Sequence, residues 1–117
     1  MADATRYLPL TPQQFHILLA LSDRDRHGYG IILDVADRTQ GALKLGTGTL
    51  YTSVARLTDL ALIAPGREDA RRRFYRITAL GRAVLAAETA RLEALVRHAH
   101  ERRVYGSRRP TTARTRG

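Results

Sequence analysis

Apolar positions along the chain fall into three helical stretches, a pair of short strands and a last, longer helix. The most informative stretch is Gly46 to Ala61, GTGTLYTSVARLTDLA. Leu50, Val54, Leu57 and Ala61 stand at i, i+4, i+7 and i+11, one stripe at helical period. At ~100° per residue, the opposite side carries Gly48, Thr52, Ala55, Arg56 and Asp59, with Thr49 and Tyr51 at its edges. A solvated helix face is usually thick with Glu and Lys, whereas this one is narrow and rich in hydroxyls. A helix packed on one side and presenting Thr, Tyr and Arg on the other is shaped to lie in a groove. The pattern predicts a DNA recognition helix.

Upstream, residues 1–10 lack a pattern and are expected to run extended along the surface. Thr11-Pro12 predicts a helix start, with Thr as N-cap and Pro at the first helical position, where its missing N–H costs nothing. Phe15, Leu18, Leu19 and Ser22 form one face of that helix, and Ile17 and Leu21 widen the apolar sector. Asp23 to Arg26 reads as a polar connection. His27-Gly28-Tyr29-Gly30 opens a second helix reaching about Thr39, with Tyr29, Ile32, Leu33 and Ala36 as its core stripe. Asp34, Asp37 and Arg38 are expected to face water, and Gln40-Gly41 to end the helix. Gly46 then serves as N-cap of the third helix. Two helices joined by a short turn, the second with the Thr/Tyr/Arg face, make a helix-turn-helix.

Leu62 to Pro65 and Phe74 to Thr78 read as short strands around the polar, basic Gly66 to Arg73. In the second strand Phe74, Arg76 and Thr78 point one way and Tyr75 and Ile77 the other. This predicts a β-hairpin wing with Arg71, Arg72 and Arg73 at its tip, placed to meet phosphates or a minor groove. Thr78 caps a fourth helix running to about Arg103. Leu85, Leu92 and Ala99 are spaced by sevens, with Leu95 and Val96 on the same side. Such a helix, ~37 Å at 1.5 Å per residue, outruns the domain before it, so much of the stripe is expected to pack against the same helix of a second chain. Glu88 interrupts the seam, which argues against a regular coiled coil. The expected fold is mainly α with a small β-hairpin: a winged helix-turn-helix over residues 1–78, a dimerisation helix over 79–103 and a basic disordered tail over 104–117.

Charge sharpens this picture. The formal net charge is +9, yet residues 1–61 carry six Lys and Arg against six Asp and Glu. The excess lies in residues 62–78, with five Arg against Glu68 and Asp69, and in residues 102–117, with six Arg and no acid. Double-stranded DNA is the partner this distribution suggests first. Two other readings stand beside it: a small basic RNA-binding protein, which would need base-stacking aromatics, and a dimeric protein-interaction module.

The 117 residues suit one domain, and the absence of Cys excludes disulfides and Cys-based zinc sites. No apolar run approaches the ~20 residues of a membrane span, and the N-terminus is not a signal peptide, so a cytoplasmic protein without membrane contact is expected. His16, His27, His98 and His100 form no ligand cluster, and no catalytic arrangement of Ser, His and Asp is visible. No enzymatic activity, metal or cofactor is therefore expected.

His27-Gly28-Tyr29, then Gly48-Thr49-Leu50-Tyr51 with Arg56-Leu57, then Arg72 to Thr78 with Gly81 occur in that order. Together they resemble the PadR-type transcriptional regulators of the short kind over roughly residues 8–100. Two positions depart from the family pattern: Thr47, where Pro usually precedes the Gly, and Thr52, where Pro is frequent. The resemblance implies a homodimer that represses transcription from a pseudo-palindromic operator, with the third helix in the major groove and the wing along the backbone or minor groove. Thr49, Tyr51, Thr52 and Arg56 would then meet the groove, and Leu85, Leu92, Leu95, Val96 and Ala99 the second subunit. It further implies that a small aromatic or hydrophobic effector can release the DNA. Some members stack that ligand on a Trp, which this chain lacks.

Overall fold

Three of the four α-helices start where a side chain is at hand to take a free N–H, and the computed structural model, which describes residues 3–104, follows those starts closely. The order is a 3-10 turn at Ala4–Tyr7, α1 (Pro12–Leu21), β1 (Arg26–His27), α2 (Gly28–Arg38), α3 (Thr47–Asp59), β2 (Ile63–Asp69), β3 (Arg72–Ile77) and α4 (Ala79–Glu101). Thr11 and Gln14 form a reciprocal capping box, each side chain accepting from the other's backbone N–H at 3.0 Å. His27 Nδ1 accepts from Gly30 N–H at 3.0 Å and caps α2. Thr78 accepts from Gly81 N–H at 2.9 Å and donates towards the carbonyls of Ala61 and Leu62, at 2.7 and 3.0 Å. One hydroxyl thus joins the end of the α3–β2 connection to the start of α4. Gly46 caps α3 without a side-chain bond.

The core gathers Ile17, Leu18 and Leu21 of α1, Ile31 and Val35 of α2, Leu50, Val54 and Leu57 of α3, then Leu62, Ile63, Ile77 and Val84. Burial of this apolar surface is what holds three short helices on a small sheet, since none of them would be stable alone. The buried side of α2 differs from the one expected. Gly28, Ile31 and Val35 face inward, while Tyr29 is 60% and Leu33 51% exposed. Two neighbouring arcs of α2 are apolar, so periodicity alone does not choose between them. The inner arc is selected by its fit: Gly28 admits α3, and Asp34, on the other flank, is held by Arg38 at 2.8 Å and Arg26 at 3.4 Å.

The wing is larger than the sequence suggests. β2 and β3 are antiparallel and continue to Glu68↔Arg73 and Asp69↔Arg72, with an irregularity between Pro65 and Glu68. Only Ala70 and Arg71 form the turn, both left-handed at φ 50° and 70°, as a tight two-residue hairpin demands. A third strand was not expected: β1 pairs with β3 through Arg26↔Tyr75 and His27↔Phe74, giving the order β1-β3-β2. Two residues are too few to show alternation. Ala61 does not complete the α3 stripe either; it is exposed at φ 64°, beyond the helix end.

The N-terminal segment is also not simply extended. Ala4–Tyr7 turns, packs against α4, and leads to a buried Leu10. Its anchor is Glu88, a residue only 1% exposed. Arg91 Nε reaches Oε1 at 2.6 Å and Arg91 Nη2 reaches Oε2 at 2.9 Å, while Leu10 N–H donates to Oε2 at 3.0 Å. The Arg91 hydrogen bonds hold the Glu88 carboxyl below its ordinary pKa, outweighing burial, and the Leu10 N–H adds to the effect. What interrupts the seam in sequence is a buried carboxylate in the fold, paired with a partly exposed arginine. Val84 and Leu85 belong to the domain core, Leu92 and Ala99 are half-buried, and Leu95 and Val96 are 50% and 56% exposed. The expected tail lies, apart from the exposed Val104, outside the described residues.

Candidate nucleic-acid interface

Leu50, Val54 and Leu57 are buried and fix the rotation of α3. Gly48, Thr49, Tyr51, Thr52, Ala55 and Arg56 are consequently exposed. Thr49, Thr52 and Arg56 lie at i, i+3 and i+7, one above another on that face. No hydrogen bond or ion pair among the described residues engages their side chains. Arg56 sits in the last turn, where a cation suits the negative end of the helix dipole.

Tyr51 leans the other way, over the start of α2. A Cβ on Gly28 would stand 2.5 Å from the Tyr51 hydroxyl and 3.1 Å from Leu50 Cδ2, so only glycine leaves that seat open. Between this corner and the wing lies an open cleft of about 550 Å³, lined by His27, Gly28, Tyr29, Tyr51, Tyr75 and the run Arg71–Arg73. No Asp or Glu lines it. Burial holds the Tyr75 phenol above its ordinary pKa, Tyr51 adding to the shift and Arg73 opposing it, so it remains a hydrogen-bond donor at neutral pH.

The three wing arginines are not equivalent. Arg71 occupies the turn. Arg72 Nη1 lies 2.9 Å from His27 Nε2, and Arg73 Nη2 bonds Glu68 Oε2 at 2.9 Å. Arg67 stacks on the Phe74 ring at 3.9 Å, and Phe74 meets His27 edge-on at 5.2 Å. The structure therefore brings Tyr51 together with Arg71, Arg72 and Arg73, and leaves Thr49, Thr52 and Arg56 outside the cleft on the helix face. His27, Tyr29 and Tyr75 were not among the expected site residues. His27 and Tyr29 belong to the His-Gly-Tyr run, whose position opposite the wing follows only from the β1–β3 pairing.

Residues 17–87 match the transcriptional regulator PadR-like family. The chain belongs to that family. An uncharacterized protein of Lysinibacillus sphaericus is 34% identical over 74 residues, spanning 60% of this chain and 68% of its own length. A transcriptional regulator from Clostridium thermocellum is 27% identical and superposes with a TM-score of 0.66, covering 86% of this chain and 97% of its own. A PadR family regulator from Clostridium difficile, at 20% identity and a TM-score of 0.67, shares the fold over 78% of this chain and 97% of its own. PadR proteins are DNA-binding transcriptional regulators, not enzymes, and the mainly helical fold with a three-stranded antiparallel wing is theirs. Among the described residues of this PadR protein, no group of three or more His, Cys, Asp or Glu is placed to hold a metal ion. No helix among them is long and apolar enough to cross a membrane.

Proposed function

We propose that this PadR protein is a dimeric repressor that binds a pseudo-palindromic operator, each subunit placing α3 in a major groove with the wing on the adjacent backbone. The observation that carries this reading is the free, hydroxyl-rich face of α3 beside a wing tip with three consecutive arginines. Thr49, Thr52 and Arg56 would meet the groove, Arg56 by a guanine edge or a phosphate, and Tyr51 a phosphate. Arg71, Arg72 and Arg73 would supply affinity that does not depend on sequence. The exposed Leu95 and Val96 on the distal half of α4, with Leu92 and Ala99 beside them, would join the two subunits. Leu85 lies in the domain core and would brace the root of that helix.

The test is a gel shift against the chain's own upstream DNA with RNA competitor, followed by footprinting and a salt titration. Preference for a palindromic duplex supports the regulator. Equal competition by RNA would favour an RNA-binding protein, and no binding at low salt a protein-interaction module. Replacing Arg71, Arg72 and Arg73 by Ala should reduce the salt slope by about 0.9 for each phosphate the wing no longer neutralises; an unchanged slope would refute the wing's role. A small aromatic or hydrophobic effector would bind near the paired α4 helices, and repeating the footprint with such compounds shows whether any releases the DNA.

A further inference from the structure

The contact between Arg72 and His27 contains a chemical conflict. A neutral imidazole has one N–H and one bare nitrogen. Gly30 N–H donates to His27 Nδ1, so the ring proton belongs on Nε2. That N–H then faces Arg72 Nη1, another donor, at 2.9 Å. The other tautomer only moves the clash to Gly30 N–H, which the start of α2 holds in place. A protonated ring has two donors and removes neither problem. Arg72 is exposed and its side chain is the partner able to yield. Two donors pointed at each other mark a place for an acceptor between them. The rest of the cleft has the same character, with the phenols of Tyr29 and Tyr51, the guanidinium of Arg71 and no carboxylate along its lining.

From this geometry we infer that the cleft is a preformed seat for one phosphate group, with His27 Nε2–H and the displaced Arg72 donating to its oxygens and the Tyr29 and Tyr51 hydroxyls closing around it. The occupant is a phosphate of the DNA backbone at the wing side of α3. This rests on the DNA-binding reading above and adds to it His27 and Tyr29, which fix the register of the protein on the duplex. Phosphate contacts position a protein without reading bases. The seat is built from four elements, His27 on β1, Tyr29 on α2, Tyr51 on α3 and Arg72 on β3, so it also fixes the angle between α3 and the wing.

The experiment uses the full chain, its footprinted operator, and a series of duplexes with a single neutral methylphosphonate at each backbone position. His27→Asn keeps a good N-cap but loses the Nε2–H donor; Tyr29→Phe keeps the ring and loses only the hydroxyl. Each should weaken binding several-fold on every sequence alike, leaving base preference unchanged. In the wild type, one methylphosphonate per half-site should cost about as much, and in the two variants that same substitution should cost little more. The salt slope should fall by about 0.9 per half-site with Arg72→Ala. Wild-type affinity for both His27→Asn and Tyr29→Phe, or penalties that simply add to those of every methylphosphonate, would overturn the seat while leaving DNA binding intact.

If the wild type binds no duplex, the DNA reading fails by itself and inorganic phosphate becomes the probe. Saturable shifts of the His27 and Tyr29 nuclear magnetic resonance signals, absent from the variants, would keep the seat and make free phosphate its occupant. No such shifts would overturn it.

Discussion

Two glycines show how a missing methyl group can serve different ends. At Gly28 a Cβ would press on the end of the Tyr51 side chain, which can swing outward. Gly28→Ala should therefore cost less than ~1.5 kcal/mol of stability yet weaken DNA binding several-fold by displacing the phenol. At Gly81 a Cβ would run into the carbonyl oxygen of Leu62 and lie 2.8 Å from Ile77 Cγ1. Backbone cannot swing aside, so Gly81→Ala should cost ~1–3 kcal/mol or more. Thermal melts beside anisotropy titrations separate the two outcomes; equal losses of stability would contradict the argument. Glu88 adds a pH-dependent contribution. Its carboxyl is held below the unfolded value of 4.5, so its stabilisation is fully present above that value and disappears as pH falls through the folded pKa. The thermal advantage of the wild type over Glu88→Gln should be flat above pH ~5 and shrink below it. A gap that stayed constant down to pH ~3 would show that the ion pair with Arg91 is not what Glu88 contributes.

At the scale of elements, α3 starts less firmly than its neighbours. Gly46 provides no side-chain bond, and it is extended at φ −76° and ψ 162°, the conformation that a following proline requires. Thr47→Pro should therefore stabilise the chain by ~0.4–1 kcal/mol, raising its melting temperature by a few degrees; a drop would mean that the Thr47 N–H is in use. The caps at Thr11 and Thr78, the break at Gln40-Gly41 and the inner stripe of α3 were legible in the sequence because each rests on neighbours within a turn or two. The inner face of α2 was not. Glycine at 28 and tyrosine at 29 exchange their expected places because the deciding contact, with Tyr51, comes from another helix. For the same reason β1 was invisible: two residues become a strand only because Phe74 and Tyr75 lie alongside. The Arg71–Arg73 run was legible as charge, but the division of its partners between His27 and Glu68 depends on pairing across the sheet.

Seen whole, the molecule is a winged domain with a helix that leaves it half-way along. Glu88 ties the first half to the N-terminal segment, and Leu95 and Val96 are left bare on the second. If those side chains join two copies, Leu95→Glu with Val96→Glu should shift sedimentation to the 13.1 kDa monomer. It should also lower affinity for a two-site operator by tenfold or more while the helical signal persists. A dimer of undiminished strength would place the partner surface elsewhere. The Thr78 hydroxyl then acquires a role beyond capping. Because one oxygen clasps the α3–β2 connection and the root of α4 together, it would limit the slack of the long helix at its elbow. In a paired molecule, the crossing angle of the two rods would also be the angle at which the reading heads are presented. The tolerance of an operator for an added or missing base pair between its halves is thus a direct gauge of that joint's stiffness.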